Sequence, residues 1–203
     1  MPMMHGLEDN FGQTPSQTVG PYFAYGLAAA QYGYDFNQPY DSVVALRHAQ
    51  GERIRLEGRV LDGDGVAVSD ALVEIWQVDG DGAYPRNAED ALNSGFRGIG
   101  RSGTGTDAQL RYSFDTVKPG AQSADEAPHI DMIVTMRGLL LHVFTRVYFD
   151  DETQANAGDA ILNAVPLERR HTLIARRVQK GNEVTYQFDV HMQGADETVF
   201  FDL

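Results

Sequence analysis

The sequence predicts an all-β protein, an antiparallel β-sandwich with an extended N-terminal arm and one or two short helices. Three observations predict it: short runs that alternate apolar and polar residues, Asp-Gly and Arg-Gly turn signals between them, and a first quarter with neither helical nor alternating period. The chain has 203 residues, 42% of them hydrophobic, enough for one sizeable core, and no repeat of 20 to 50 residues is visible. A single domain, 1–203, is expected, with 1–50 as the arm and 51–203 as the sandwich core.

Up to residue 50 the chain is rich in Gly, Pro, Gln and Tyr, and only Gly26 to Tyr32 suits a short helix. Such a segment is ordered by what it packs against. From Arg53, alternation takes over: Ile54, Leu56 and Val60 fall on one face, and Arg53, Arg55, Glu57 and Arg59 on the other. Asp62-Gly63-Asp64-Gly65 reads as a turn. Ala71 to Val78 carries the next strand, with Val73 and Ile75 opposite Glu74 and Trp76.

Six further strands are expected at Leu110 to Val117, His129 to Met136, Leu139 to Phe149, Thr172 to Val178, Val184 to Met192 and Thr198 to Asp202. Arg137-Gly138 sits where a two-residue hairpin turn belongs. The helical candidate, Asp159 to Arg170, is interrupted by Pro166, which removes a donor and crowds the preceding turn, so it is expected short or broken. Asp79-Gly80-Asp81-Gly82 reads as an Asp-Gly turn; as a calcium loop it lacks the later bidentate Glu and the flanking helices.

Sixteen basic residues against 29 acidic ones leave a formal charge of −13, which repels phosphate backbones and anionic lipid heads, so neither nucleic acid nor membrane partners are expected. With no cysteine, a metal would have to use His, Tyr or carboxylate. The first residues, Met1 to Asp9, have no basic region followed by an apolar one, and no run approaches the ~20 apolar residues of a membrane helix, which makes a cytoplasmic location the expectation.

The stretch Ala127-Pro128-His129-Ile130-Asp131 is the most informative. Residues two apart on a strand face the same way, so a His-x-His pair would offer a metal two nitrogens, while His129 and Asp131 offer one nitrogen and one oxygen. It reads like a metal site that lost its metal.

In chain order, Leu56-x-Gly58-x-Val60, Val73-Glu74-Ile75-Trp76-Gln77, Thr116-Val117-Lys118-Pro119-Gly120, Ala127-Pro128-His129-Ile130 and Thr145 to Glu152 resemble the blocks of intradiol ring-cleavage dioxygenases. Thr14 to Tyr22 and Glu197 to Leu203 resemble the two ends of the non-iron, alpha subunit of heteromeric members. The resemblance implies a β-sandwich. It also implies ferric iron, dioxygen and a catechol acid whose ring is cut between its hydroxyl-bearing carbons.

In that family two tyrosines and two histidines hold the iron, hard phenolate oxygens suiting the ferric ion. Carried onto this chain, the first histidine falls on His129 and the second on Asp131. Ala121 to Ala127 contains no Tyr for the tyrosine due after Gly120, and Tyr84 comes too early to match the other. The pocket arginine falls on Glu126. The resemblance therefore implies no metal ligands and no catalytic residues in this chain, with Fe(III) bound by the partner beta subunit in an alpha-beta hetero-oligomer.

It also implies that the arm lines the pocket over the partner's iron, so that a small aromatic acid meets this chain through Thr18, Gly20, Pro21, Tyr22 and Arg137. Gly20 permits close backbone approach, Pro21 fixes the turn, and Tyr22 offers an aromatic face and a hydroxyl. Thr18 either bonds substrate or caps a turn. Arg137 is either the local cation that an anionic substrate needs near an acidic protein or a hairpin-tip arginine paired with a carboxylate.

His129 reads most simply as a satisfied core or interface histidine bonded to a neighbour such as Asp131. Trp76 reads as core, His142 as structural, His191 as exposed, and Arg146 as half of a buried or interface ion pair. Two other readings stand beside the subunit one: a non-enzymatic binding or structural β-sandwich, and an autonomous metalloenzyme using His129 and Asp131. The aromatic arm, Tyr22, Phe23, Tyr25, Tyr32, Tyr34 and Phe36, argues against the first because those rings need covering.

Overall fold

A computed structural model describes residues 13–202; Met1 to Asp9 and Leu203, used above, lie outside them. The described residues form nine strands: β1 Arg53–Leu61, β2 Leu72–Trp76, β3 Ile99–Gly103, β4 Arg111–Val117, β5 His129–Thr135, β6 Val143–Phe149, β7 Ile174–Lys180, β8 Glu183–Gln187 and β9 Val190–His191. Short helices accompany them: α1 Phe23–Leu27 before β1, α2 Ala88–Ser94 between β2 and β3, and α3 Thr153–Gly158 and α4 Ala160–Ala164 between β6 and β7, with 3₁₀ turns at Ala29–Tyr32 and Leu167–Leu173. None of the helices is long and apolar enough to cross a membrane.

The strands run in the order β3-β2-β5-β6-β7-β8-β1-β4, with β9 beside β1. The two edges approach each other, Ser113 N–H donating to Ser102 Oγ at 3.2 Å, so the sandwich is nearly a closed barrel. The antiparallel expectation needs one correction, since β6 runs parallel to β7 and β1 parallel to β8 and β9. The long segment between β6 and β7, holding α3, α4 and a 3₁₀ turn, supplies the crossover that a parallel pair requires.

Alternation places the core. On β1, Ile54, Leu56 and Val60 are buried while Arg53 and Arg59 are exposed, and on β2 Val73 and Ile75 are buried. They join Phe114, Ile130, Met132, Val134, Val147, Phe149 and Tyr186 in one cluster drawn from both halves of the sheet. Val44 and Ala45 belong to it too, so the last residues of the expected arm pack inside the sandwich.

The helix expected over Asp159 to Arg170 is broken, as Pro166 requires: α4 ends at Ala164, and a 3₁₀ turn follows from Leu167. Two strand expectations fail. Thr198 to Asp202 makes only an isolated bridge, Phe144 with Phe201, because side chains take its polar groups: Thr145 Oγ1 donates to Val199 O at 2.8 Å and Val199 N–H donates to Thr172 Oγ1 at 3.3 Å. Val184 to Met192 divides into β8 and β9, because Phe188 turns its carbonyl to the buried Tyr112 hydroxyl.

Candidate functional site

The arm is fastened to an edge of the sheet. Gln31 mimics a neighbouring strand: its Nε2 donates to Gly103 O at 2.7 Å and its Oε1 accepts from Gly103 N–H at 2.8 Å. Tyr32 covers the same edge, where a Cβ on Gly103 would lie 2.2 Å from the Tyr32 hydroxyl. Tyr25 packs edge-on against Tyr32 with centroids 4.3 Å apart.

Beyond this anchor the arm reaches the β5–β6 connection. Met136 to Leu139 forms a turn over Arg137-Gly138, with Leu139 N–H donating to Met136 O at 3.3 Å and Gly138 at φ 94°, but the connection from β5 to β6 runs from Met136 to His142 and is longer than the two-residue hairpin turn expected. Thr18 Oγ1 accepts from Gly138 N–H at 2.8 Å. Arg137 pairs with Asp70, the arginine side chain 57% exposed and the carboxylate 12%.

Thr18 and Arg137, remote in sequence, are thus brought to one turn. Gly20 and Pro21 follow Thr18 on the exposed side, Phe23 N–H bonding back to Gly20 O at 3.1 Å, and Tyr22 stands 75% exposed. Tyr34 and Phe36 stack nearby in the chain with their rings 6° from parallel, both exposed.

The remnant of the metal-type stretch lies elsewhere. Antiparallel pairing sets His129 opposite Tyr148 and Asp131 opposite Arg146, so all four side chains share the face turned away from the main core. His129 is buried, its Nδ1 donates to Ala127 O at 2.8 Å, and its Nε2 lies 3.8 Å from Asp131 Oδ1. Arg146 Nε lies 3.1 Å from that same oxygen.

Burial pushes the Asp131 carboxyl up, and His129 and Arg146 oppose that rise without cancelling it. Burial works against the charge on Arg146 too, yet the Tyr148 hydroxyl and Asp131 outweigh it and hold the guanidinium firmly protonated. The ion-pair reading of Arg146 therefore holds. Burial likewise raises the Tyr148 phenol; its hydroxyl donates to Asp159 Oδ1 at 3.1 Å.

Three side-chain expectations need correction, those for Trp76, His142 and His191. Trp76 is 48% exposed, because it takes the outward position that its alternation with Val73 and Ile75 dictates. Tyr84, out of step in the sequence, stands within the electrostatic reach of Asp131, Arg146 and Glu126, and burial with the Asp131 charge raises its pKa. No signal in the sequence marks this, because a loop carries Tyr84 there. His142 is exposed on the connection before β6 rather than within the strand, and His191 is half-buried.

Iron of the kind the family uses is a poor fit to these residues. The pocket offers one imidazole, its carboxylate faces a guanidinium, and among the described residues no group of three or more His, Asp or Glu is arranged to hold a metal ion. Asp79 is likewise engaged as a turn former: its Oδ1 accepts from Asp81 N–H at 3.0 Å and Ala83 N–H at 2.9 Å.

A family model described as dioxygenase matches residues 20–194. The chain is 60% identical over 192 residues to a protocatechuate 3,4-dioxygenase alpha chain of Burkholderia cepacia, covering 94% of this chain and 98% of the relative. It is 43% identical to the alpha chain of Pseudomonas putida, covering 94% and 96%. A protocatechuate 3,4-dioxygenase beta chain of Burkholderia cepacia is 35% identical over 73% of this chain and 67% of its own length. Among solved structures, an intradiol ring-cleavage dioxygenase from Tetranychus urticae aligns with a TM-score of 0.59 at 14% identity, covering 78% of this chain and 89% of that one. At that identity the likeness speaks for the fold.

Proposed function

The chain belongs to the intradiol dioxygenase family, and we propose that it is the alpha subunit of a protocatechuate 3,4-dioxygenase. With a beta subunit it opens the ring of protocatechuate between the two hydroxyl-bearing carbons, using dioxygen, to give 3-carboxy-cis,cis-muconate. The observation that carries this reading is the end-to-end similarity to alpha chains at an identity well above that to the beta chain. A cytoplasmic place in aromatic catabolism by way of beta-ketoadipate goes with it.

Iron is a cofactor of this family, and we assign it to the beta subunit. There it supplies the redox chemistry of ring opening; no step of the reaction is given to the His129 pocket. This chain's part is positional. Holding an aromatic acid in one orientation removes rotational freedom before reaction. Thr18, Gly20, Pro21 and Tyr22 form the wall that does so, and Arg137, paired with Asp70 but half exposed, is the cation we assign to the substrate's carboxylate in a chain of net charge −13.

Exposure of the arm supports this reading. Among the described residues, Tyr22, Phe23, Tyr34 and Phe36 leave 40% to 75% of their surface exposed, the signature of a surface completed by a partner. The deciding experiment measures iron content and ring-cleavage activity of the chain purified alone and after co-expression with a beta subunit from the same source. Iron and activity only in the complex is the expected result. Stoichiometric iron and turnover in the isolated chain would overturn the assignment of the metal.

A further inference from the structure

Among the described residues, three polar atoms meet in the pocket beside β5 and β6, shielded from solvent and with no well-aligned hydrogen bond: His129 Nε2, Asp131 Oδ1, which lies 3.1 Å from Arg146 Nε, and Arg146 Nη1. Asp131 Oδ1 is an acceptor, and so is His129 Nε2 in the neutral imidazole. With Nδ1 of His129 donating to the Ala127 carbonyl, Nε2 of the neutral imidazole carries a lone pair, and it faces a carboxylate oxygen 3.8 Å away. Two buried acceptors turned toward each other call for something positive or a donor between them.

His129 is also presented as a metal ligand is. A backbone carbonyl on one ring nitrogen fixes the tautomer and the ring's orientation and leaves the other nitrogen free to bind, which is the usual support behind a ligating imidazole. Asp131 stands two residues on, on the same face. The positive charge there belongs to Arg146, paired with Asp131 across the two strands and close to Tyr148, Tyr84 and Glu126.

We propose that Arg146 is a resident cation standing in for a metal ion, so that this pocket keeps a metal-type histidine and carboxylate but is closed to metal while the guanidinium is there. A guanidinium keeps its proton at any ordinary pH, and a metal ion bound by His129 and Asp131 would sit against a fixed like charge. The ion pair also occupies the carboxylate that a metal would need. Neutralising position 146 while keeping its bulk should convert the pair into an open site for a divalent cation. The inference concerns this chain's own pocket and stands whether or not a partner subunit holds the iron.

The test is a cobalt(II) titration of the full chain, followed by equilibrium dialysis and by the visible absorption of ligated cobalt. Five proteins are compared: wild type, His129→Ala, Arg146→Met, Arg146→Lys, and Arg146→Met combined with His129→Ala. One equivalent is expected on Arg146→Met, bound on the order of a hundredfold or more tighter than by wild type, and lost in the double variant. Arg146→Lys, which keeps the charge, should behave as wild type.

Uptake of an equivalent by wild type that His129→Ala abolishes would overturn the proposal. So would a folded Arg146→Met protein that binds cobalt no better than wild type. Circular dichroism and thermal melts establish folding, and Arg146→Gln replaces the Met variant if that one fails to fold. Failure of both neutral variants beside a folded Arg146→Lys would itself show that a cation is required there.

Discussion

Thr18 Oγ1 accepts a hydrogen bond from the backbone N–H of Gly138, 2.8 Å away and 120 residues further along the chain. The bond joins the arm to the turn that carries Arg137, so the arm's register is set by a residue of the sandwich. Thr18→Val keeps the shape and removes the acceptor, at a cost of about 0.5–1.5 kcal/mol in the arm's docking. Assembled with the beta subunit, the variant should show a KM raised by roughly threefold to tenfold. Steady-state kinetics on protocatechuate would check it, and an unchanged KM would detach the arm from substrate binding.

Tyr22→Ala separates the same role from folding. The side chain is 75% exposed, so the isolated chain should melt within about 0.5 kcal/mol of wild type. Its loss should nevertheless raise the KM of the complex. Equal stability together with unchanged kinetics would remove Tyr22 from the pocket wall.

What the sequence makes legible follows from how local the cause is. Alternation around Leu56 and Ile75 reports which face is buried, and the structure agrees residue by residue. Strand β3 is hidden, because Ile99-Gly100-Arg101-Ser102-Gly103 carries two glycines that strand propensity disfavours. Both answer to distant residues: a Cβ on Gly100 would lie 2.6 Å from Val44 Cγ2, and one on Gly103 would strike Tyr32. In the same way, Asp131 two residues after His129 is plain in the sequence, while the partners that Arg146 and Tyr84 find there depend on strand pairing and on a loop.

Asp159 is fully buried and accepts three hydrogen bonds, from Ala127 N–H at 2.8 Å, Leu162 N–H at 2.7 Å and the Tyr148 hydroxyl at 3.1 Å. It caps α4 and ties that helix to the start of β5. Asp159→Ala leaves three buried donors unsatisfied, and a loss of about 2–4 kcal/mol is expected. Urea denaturation would measure it; a loss below about 1 kcal/mol would mean that the three donors find other partners.

Lys118 donates to Asp151 at 2.9 Å and Glu152 at 2.6 Å, and the Tyr186 hydroxyl donates to Asp151 at 2.8 Å. Burial alone would raise Asp151, but Lys118 and Tyr186 outweigh it and hold the carboxyl below its usual range. A depressed carboxyl contributes stability above its unfolded value, about 3.9, and loses it as pH falls through the folded value. Burial and the bond to Asp151 push Tyr186 up to about 12. A raised group contributes fully below its unfolded value, about 10, and loses that contribution as pH climbs through the folded one. The melting temperature should therefore form a plateau between about pH 5 and 9 and fall on both sides. Tyr186→Phe should lower the plateau by about 1 kcal/mol and make the alkaline limb shallower; an unchanged alkaline slope would contradict this role for Tyr186.

Gly58 tests how the sheet is locked. Phe188 N–H donates to Glu57 O at 2.9 Å, and the Phe188 carbonyl turns inward over Gly58 to meet the buried Tyr112 hydroxyl. A Cβ at position 58 would lie 1.7 Å from that carbonyl oxygen and 2.9 Å from the Tyr112 hydroxyl. Neither neighbour can swing aside, since one is backbone between β8 and β9 and the other is packed in the core. Gly58→Ala must therefore break the Tyr112 bond and push β9 off β1, at a cost of about 3 kcal/mol or more. Tyr112→Phe, which deletes the bond and adds no bulk, should cost only about 1–3 kcal/mol. Denaturation of the two variants side by side gives the comparison: Gly58→Ala falling no further than Tyr112→Phe would mean that the backbone at Phe188 yields, and that the hydrogen bond rather than the close approach holds this corner.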